Sequence, residues 1–452
     1  MKSTLFFLLL LVGPLVGGSP DKASSSKVHL PFLLGGIQVN EPDHQKWVET
    51  LHGDGMNTVS VTVYAKQGDW DSDNLWWEAE EASVVREIQT AKASGLRVVL
   101  ILRVALDHAF ERNEFFWHGM ILPKTPPLLD SWFEKYTRFV TQWAAIAEAE
   151  QVDVFAVGSE MNALSATLPV EDIPALDEYY LNKTKQLLYR KGILQYSPTI
   201  TDRHLWTPGP NEHKTISDYL EAREAANRHW AQVHSFDDTD SSIAKINDRA
   251  QRLNTHWEHL IDETRKIYQG PVTYAANFDN YYDVGFWKKL DFMGINAYFP
   301  LRNAYRKPTR ETVSFPTFKE SWERVFQQIN GFKQSQEIKD CPVIFTELGY
   351  TFRKNCSIEP WSSYGFSVIG KPPRGQLVIW QDQPVDYQER SLAVKALHAV
   401  TSKMGPGQFQ GILYWKLTSI KSHIDIEPFV LHLGPESQDP LKAALRRFTE
   451  RP

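Results

Sequence analysis

Short apolar runs alternate with longer segments of helical spacing along most of the chain. Several runs are apolar throughout, which is typical of strands buried on both faces of a parallel sheet. One of them, Thr58–Tyr64, instead alternates between apolar and polar residues, which predicts one more polar face. The predicted strands are Leu30–Val39, Thr58–Tyr64, Arg97–Arg103, Val152–Gly158, Val272–Ala276, Phe292–Ala297, Val343–Thr346 and Gly411–Lys416.

Helix start signals lie between these runs. Pro42 predicts a helix that begins near Asn40, with the proline at an early helical position. Asp386 to Glu389 resembles an acidic capping box in front of a further helix. That further helix is predicted over Arg390–Val400. Two more helices are predicted, Trp77–Ala93 and Asp130–Ala149.

Eight strands alternating with helices predict an α/β fold, and eight is the number that closes a (β/α)8 TIM barrel. We expect one such domain over 28–450. An open doubly wound sheet is the alternative, but Leu34-Gly35-Gly36-Ile37 is too poor in glycine for the phosphate turn that usually follows its first strand. The stretch 163–241 contains helical material and no barrel strand. This stretch predicts a long insertion after strand four. The insertion either forms one side of the active-site cleft or lies at the periphery of the barrel.

The N-terminus and the overall charge narrow the functional classes. Lys2 precedes the apolar run Leu5–Val16 and then small residues, so 1–18 is predicted to be a signal peptide. We therefore expect a secreted, extracellular protein, or a periplasmic one in a bacterium. A net charge of −6 argues against nucleic acid and anionic membranes as partners. The two cysteines, Cys341 and Cys356, leave open both a disulfide and two free thiols.

Two of the apolar runs lead directly into glutamate. Glu160 follows predicted strand four and Glu347 follows predicted strand seven. In barrels of this kind the chemistry lies at the carboxyl ends of the strands. A carboxylate at the rim of a core carries a desolvation cost unless it is paired or used. Two facing carboxyl groups suit glycoside hydrolysis, in which one is protonated to release the leaving oxygen and the other is ionised to attack the anomeric carbon.

The segments around these glutamates, Val157-Gly158-Ser159-Glu160 and Phe345-Thr346-Glu347-Leu348-Gly349-Tyr350, resemble the clan A glycoside hydrolases. From about Leu30 to Leu417 the chain is most similar to glycoside hydrolase family 113, the single-barrel β-mannanase family. Further segments that carry the resemblance are Tyr274–Asp279, Phe292–Pro300 and Gly411–Trp415.

The resemblance implies a role for four residues. Glu160 would be the acid/base and Glu347 the nucleophile. Tyr298, ending strand six, would donate a hydrogen bond to the nucleophile, and Trp415, ending strand eight, would form the floor on which the sugar stacks. Packing in the core is the alternative for Tyr298 and Trp415.

One position departs from the clan pattern. Clan A members usually have asparagine before the acid/base, where it contacts the sugar 2-hydroxyl, and this chain has Ser159. Asn162 is a candidate substitute for that contact. The remaining substrate-binding candidates are Arg103, for which a structural ion pair is the alternative, Asn277 and Asn296.

Weaker candidates lie in predicted loops. His108 and Asp279 follow strands three and five, where they would line either the cleft or the surface. Six tryptophans in predicted loops suit either a sugar cleft or the core: Trp70, Trp76, Trp77, Trp117, Trp361 and Trp380.

Together these observations predict a retaining glycoside hydrolase that cleaves β-linked carbohydrate, with β-mannan or manno-oligosaccharides as the expected substrate and partner. Another β-glycan or β-glycoside, such as a β-galactoside or β-glucoside, stays open, as does a catalytically silent carbohydrate-binding barrel. The sequence has no His-x-His pair after strand one and no His-Glu-x-x-His motif, so we expect no metal and no cofactor.

Overall fold

Eight parallel strands of the computed structural model close into a barrel. The barrel closes because the first strand, Leu33–Gln38, pairs with both the last, Phe409–Thr418, and the second, Thr58–Gln67. The predicted (β/α)8 TIM barrel is therefore confirmed. The strands are β1 Leu33–Gln38, β2 Thr58–Gln67, β3 Arg97–Leu106, β4 Val154–Ser159, β5 Val272–Asn277, β6 Met293–Asn296, β7 Val343–Leu348 and β8 Phe409–Thr418. The structure describes residues 30–77, 81–110, 113, 117–165, 200–201, 221, 225, 249–302, 313–362, 366–370, 376–380, 383–405 and 407–450.

Several barrel strands, among them β2, β3, β7 and β8, are longer than the sequence indicated. β2 and β3 stay paired up to Gln67 and Leu106, beyond their predicted ends at Tyr64 and Arg103. The extended end of β2 also pairs with a short antiparallel strand, Leu75–Trp76. β8 continues to Thr418. Arg103 and Trp415 therefore lie inside their strands rather than at the ends, because backbone pairing continues past the apolar run.

The helices pack around the outside of the barrel. They are α1 His44–Gly53, α2 Glu81–Ala93, α3 Pro126–Ala149, α4 Arg249–Arg265, α5 Phe315–Ser335, α6 Tyr387–Thr401 and α7 Pro440–Arg446. Apolar residues of α1 and α2, such as Trp47 and Ile88, share one buried cluster with Val59, Val61 and Val63 of β2. The apolar face of β2 thus looks outward to the helices, and its polar face looks into the barrel.

The predicted starts of α1 and α3 were wrong. Asp43 caps α1 by accepting a hydrogen bond from the Lys46 backbone N–H at 3.0 Å, so Pro42 precedes the helix instead of standing in its first turn. α3 begins at Pro126 and not at Asp130, because a proline ring already has the backbone angle that a first helical turn requires.

Half of the predicted capping box forms at α6. The Asp386 carboxylate accepts hydrogen bonds from the backbone N–H groups of Gln388 and Glu389 at 3.0 and 3.3 Å. The Glu389 side chain does not reach back to complete the box. It instead accepts hydrogen bonds from Arg302 and Ser357 at 2.7 and 2.6 Å.

Two residues of the predicted insertion, Ile200 and Thr201, form a small sheet with the connection after β7. Ile200–Thr201 pairs in parallel with Gln376–Trp380, which pairs antiparallel with Phe366–Gly370. The sheet therefore joins the connections that follow β4 and β7. Most of 163–241, including nearly all of its predicted helical material, lies outside the described residues, and so does the predicted signal peptide at 1–18.

Both cysteines are free thiols, so the disulfide alternative was wrong. Cys341 precedes β7 and Cys356 follows it, so the length of the strand separates them. Burial raises the pKa of the Cys341 thiol to about 11. Within the described ranges, no helix has both the length and the apolar character needed to cross a bilayer.

Candidate active site

A backbone irregularity turns Glu160 into the mouth of the barrel. The register between β4 and β5 shifts between Ala156 and Ser159, which is the kind of bulge that re-aims a side chain. Glu160 then adopts a φ of 54°, in the left-handed region that only glycine enters freely. Its backbone N–H still donates to the Ala275 carbonyl at 2.9 Å. Strained residues of this kind concentrate at functional sites.

One side-chain amide joins the two glutamates. Nδ2 of Asn296, the last residue of β6, donates to Oε1 of Glu160 at 2.9 Å and to Oε1 of Glu347 at 3.1 Å. Two carboxylate oxygens that share one nitrogen cannot be farther apart than the sum of those distances, about 6 Å, so both carboxyl groups face the same site. Thr346 donates to Oδ1 of Asn296 at 2.8 Å and so fixes the orientation of the amide.

Glu347 is held at both of its oxygens. The Tyr298 hydroxyl donates to Oε2 at 2.5 Å. The Arg103 guanidinium forms an ion pair with Oε1 and lies 5.1 Å from the centroid of the Trp415 ring. Burial raises the pKa of Tyr298 well above its usual value, so its hydroxyl keeps its proton and remains a donor. These donors stabilise Glu347 as a carboxylate.

Glu160 has a different partner. Nε2 of His118 lies 3.0 Å from Oε2 of Glu160, while Asn296 occupies the other oxygen. Burial raises the pKa of Glu160. The His118 hydrogen bond and charge, then the Arg103 charge and the Asn296 hydrogen bond, lower it by more, so the pKa lies below its ordinary value. The two carboxyl groups therefore have different hydrogen-bond partners, His118 for Glu160 and Tyr298 for Glu347.

Sequence reasoning missed His118. It lies in a short 3-10 helix, His118–Met120, on the connection after β3. A histidine that follows a barrel strand is only weak evidence for a functional residue. His108 lies on the same connection and is exposed, so position in the sequence does not distinguish the two histidines. Asp279 is exposed as well.

The other predicted residues lie around the carboxylates. Ser159 is buried and its Oγ accepts a hydrogen bond from Asn296 at 3.3 Å. Asn277 is in register with Asn296 on the neighbouring strand, which places both on the inner face of the barrel. Asn162 is buried two residues beyond Glu160, and its backbone carbonyl accepts from Ser165 at 3.3 Å. Trp415 is half-buried.

The loop tryptophans have several environments. Trp70 is buried, whereas Trp76, Trp77, Trp117 and Trp361 are half-buried. Trp77 packs on α3, with its ring centroid 5.3 Å from that of Phe139. Trp361 stacks on Phe278, which follows β5, at 5.2 Å. Trp380 lies in the strand Gln376–Trp380. Among the residues that the structure describes, no group of three or more His, Cys, Asp or Glu side chains could hold a metal ion.

A model of Glycoside Hydrolase Family 113 matches residues 37–167 and 212–372 of the chain. The chain belongs to glycoside hydrolase family 113. The matched segments include Glu160 and Glu347, and they leave out 168–211, which lies inside the predicted insertion. Membership of a glycoside hydrolase family implies a carbohydrate substrate.

Solved structures of this family share the fold. The chain is similar to a GH113 β-1,4-mannanase with 16% identity and a TM-score of 0.57, over 93% of this chain and 99% of that chain. It is also similar to the GH113 β-mannanase AaManA from Alicyclobacillus acidocaldarius, in a complex with ManMIm, with 15% identity and a TM-score of 0.56. That alignment covers 94% of this chain and 99% of the other. Comparison with curated protein sequences gives no match.

Proposed function

We propose that this family 113 protein is a retaining glycoside hydrolase that cleaves β-mannan or manno-oligosaccharides. The observation that carries the proposal is the Asn296 amide within hydrogen-bonding distance of both Glu160 and Glu347. Inversion needs room for a water molecule and carboxyl groups about 6.5–9.5 Å apart, whereas retention needs about 5–5.5 Å. The mannan assignment draws on the two β-mannanases to which the fold is similar.

In the first step, Glu347 attacks the anomeric carbon while Glu160 donates its proton to the leaving oxygen. The glycosidic bond breaks and an ester bond forms between the sugar and Glu347. In the second step, Glu160 takes a proton from water as that water attacks the anomeric carbon. The ester bond breaks, the sugar leaves with the configuration it had, and both carboxyl groups regain their first state.

The neighbouring residues act on geometry and charge. Arg103 and Tyr298 hold the Glu347 carboxylate in place, and Trp415 offers the sugar an aromatic face. Because the Ser159 hydroxyl faces Asn296, we assign it to the orientation of that amide rather than to the sugar contact that asparagine makes in clan A. Asn277 and Asn162 remain candidates for contact with sugar hydroxyls.

The test is chemical rescue with azide. Glu347→Ala is expected to lower the rate of hydrolysis at least about 1,000-fold, because the nucleophile is lost. Azide would then attack from the side that the carboxylate left and give a glycosyl azide of inverted configuration. The matched control is Glu160→Ala, for which azide gives a glycosyl azide of retained configuration, since Glu347 still forms the ester.

The measurement uses a panel of β-linked mannans, glucans, galactans and aryl glycosides, with NMR assignment of the products. Hydrolysis of mannan above the others would support the sugar assignment, and preference for a β-glucoside or β-galactoside would replace it. Substantial activity in Glu347→Ala, or hydrolysis with inversion by the wild type, would overturn the mechanism. No hydrolysis anywhere on the panel would favour a barrel that only binds carbohydrate.

We also propose that 1–18 directs export of the protein. The support for this proposal is the order of charged, apolar and small residues in that segment.

A further inference from the structure

An exposed tyrosine lies next to the arginine that pairs with Glu347, on the inner face of the barrel. Tyr64 of β2 is in register with Arg103 of β3, and register partners of parallel strands project to the same face of the sheet. Arg103 reaches Glu347, so that face is the one that looks into the cleft. Thr58 and Ser60, lower on the same face of β2, are fully buried inside the barrel, whereas the Tyr64 side chain is 37% exposed. The row of inward residues therefore reaches solvent at Tyr64.

The same face continues past Tyr64. Lys66, two residues further along β2, is exposed and is paired with Trp76 of the short antiparallel strand. Directly opposite residues of an antiparallel pair share a face, so Trp76 lies on the cleft side of the strand as well. The Trp76 ring is half-buried and its centroid lies 6.3 Å from that of Phe110. We call Tyr64, Lys66, Trp76 and Phe110 the β2 platform.

The chemistry of the β2 platform fits a carbohydrate chain. Sugar rings have apolar C–H faces and polar edges, and aromatic side chains that leave a face accessible match them. Lys66, in register with Trp76 and two residues beyond Tyr64, supplies three donors for hydroxyl groups. Two residues of extended strand span about 7 Å, so the platform leads away from Arg103 toward the rim. Tyr64 is exposed and Trp76 and Phe110 are half-buried, so each ring keeps part of its surface accessible.

We propose that the β2 platform binds sugar units of a β-linked oligosaccharide beyond the unit at the cleavage point. The proposal rests on the proposed function, since it takes the same glycan as ligand. If the β2 platform binds sugar units, the affinity of the protein for an oligosaccharide depends on the length of that oligosaccharide. A disaccharide is short enough to occupy the carboxylate site alone, whereas a hexasaccharide extends onto Tyr64.

Calorimetric titration of the full chain tests this directly. The parent is Glu347→Gln, which keeps the side-chain size and does not turn over the probes, and the probes are mannobiose, mannohexaose and cellohexaose. Adding Tyr64→Ala is expected to weaken binding of a hexaose about 10-fold and binding of mannobiose less than about twofold. The matched control is Tyr64→Phe, which keeps the ring and is expected to bind the hexaose within about twofold of the parent. Thermal midpoints of all three variants check that each is folded.

Three results would overturn the proposal that the β2 platform binds sugar units. They are equal affinity for a hexaose with and without the Tyr64 ring, an equal loss of affinity for mannobiose and for a hexaose, and no binding of either hexaose. Hydrolysis by the wild type separates this proposal from the function. If the wild type cleaves no glycan but hexaose binding depends on Tyr64, the function fails and the platform stands. If the wild type cleaves mannan and Tyr64→Ala changes no affinity, the platform fails and the function stands.

Discussion

His118 contacts the carboxyl group of Glu160, with its Nε2 atom 3.0 Å from Oε2. Its hydrogen bond and charge lower the pKa of Glu160, against the effect of burial. Glu160 must be protonated to release the leaving group, so kcat/KM falls as pH rises through its pKa. His118→Ala removes the contact but leaves the burial, so the pKa of Glu160 rises. We expect the basic limb of the pH profile of kcat/KM to move to higher pH.

The other titratable or charged groups around Glu160 are unchanged in this variant. They are Arg103, Glu347, Tyr298 and Tyr274. His108→Ala is the matched control, because it removes an exposed histidine from the same connection and is expected to leave the profile where it was. A basic limb that stays in place in His118→Ala would contradict the assignment. A purely structural role for His118 would lower the rate at every pH alike.

The residues of this site differ in how well the sequence predicts their positions in the structure. Both glutamates follow uninterrupted apolar runs, so their placement at the strand ends could be predicted. His118 lies on an irregular connection, where its contact with Glu160 depends on tertiary structure. The exposed position of Tyr64 depends on where β2 leaves the barrel, which the alternation of the strand indicated only as a more polar face.

At the scale of elements, Glu87 couples α2 to β1 and makes stability depend on pH. Gln38 at the end of β1 donates to Oε2 of Glu87 at 3.0 Å. Burial, with the nearby charge of Glu41, outweighs the hydrogen bond from Gln38 and raises the pKa of Glu87 to about 7. The folded state thus holds this proton more tightly than the unfolded state. The stabilisation is present below pH 4.5 and is lost as pH rises through about 7.

Glu87→Gln removes the titration and tests this coupling. Linkage gives a loss of roughly 2–3 kcal/mol in the free energy of unfolding of the wild type between pH 5 and pH 8, relative to the variant. Urea unfolding at the two pH values measures the difference. If the free energies of unfolding of the wild type and of Glu87→Gln change equally between pH 5 and pH 8, Glu87 is already ionised in the folded state at pH 5.

The elements themselves were predictable where periodicity decides them. The eight apolar runs correspond to the eight barrel strands, whereas the starts of α1 and α3 were misplaced by a few residues. A proline is compatible both with the position before a helix N-cap and with the first turn of the helix. Local sequence alone therefore does not decide at which residue the helix begins.

At the scale of the whole molecule, closure of the barrel depends on the close approach of β1 to β2. A Cβ atom on Gly35 would overlap with the backbone carbonyl of Thr58, its register partner. Gly35→Ala is therefore expected to lower the free energy of unfolding by at least about 3 kcal/mol, since neither backbone can move without opening the sheet.

The matched control is Gly331→Ala, in the interior of α5, where an added Cβ meets no atom within 4 Å. That change is expected to raise the free energy of unfolding by up to about 1 kcal/mol, because alanine favours a helix over glycine. Urea unfolding compares the two variants. A Gly35→Ala protein as stable as the wild type would mean that β1 and β2 do not close the barrel.

The barrel could be predicted from the sequence because its units repeat in order along the chain. The small sheet of Ile200–Thr201, Phe366–Gly370 and Gln376–Trp380 could not, because it pairs segments that are far apart in sequence and that belong to different connections. No local pattern specifies such a partner.

The position of Asn296 has a consequence for the energetics of the proposed reaction. In double displacement the negative charge resides on Glu347 before attack and on Glu160 in the glycosyl-enzyme. Asn296 already donates to both oxygens, and Thr346 fixes its amide. The dipole that stabilises either charge is thus preorganised, and no side chain has to rotate when the charge changes sites. Reorganisation of polar groups is a main cost of charge transfer in water, and this arrangement avoids it.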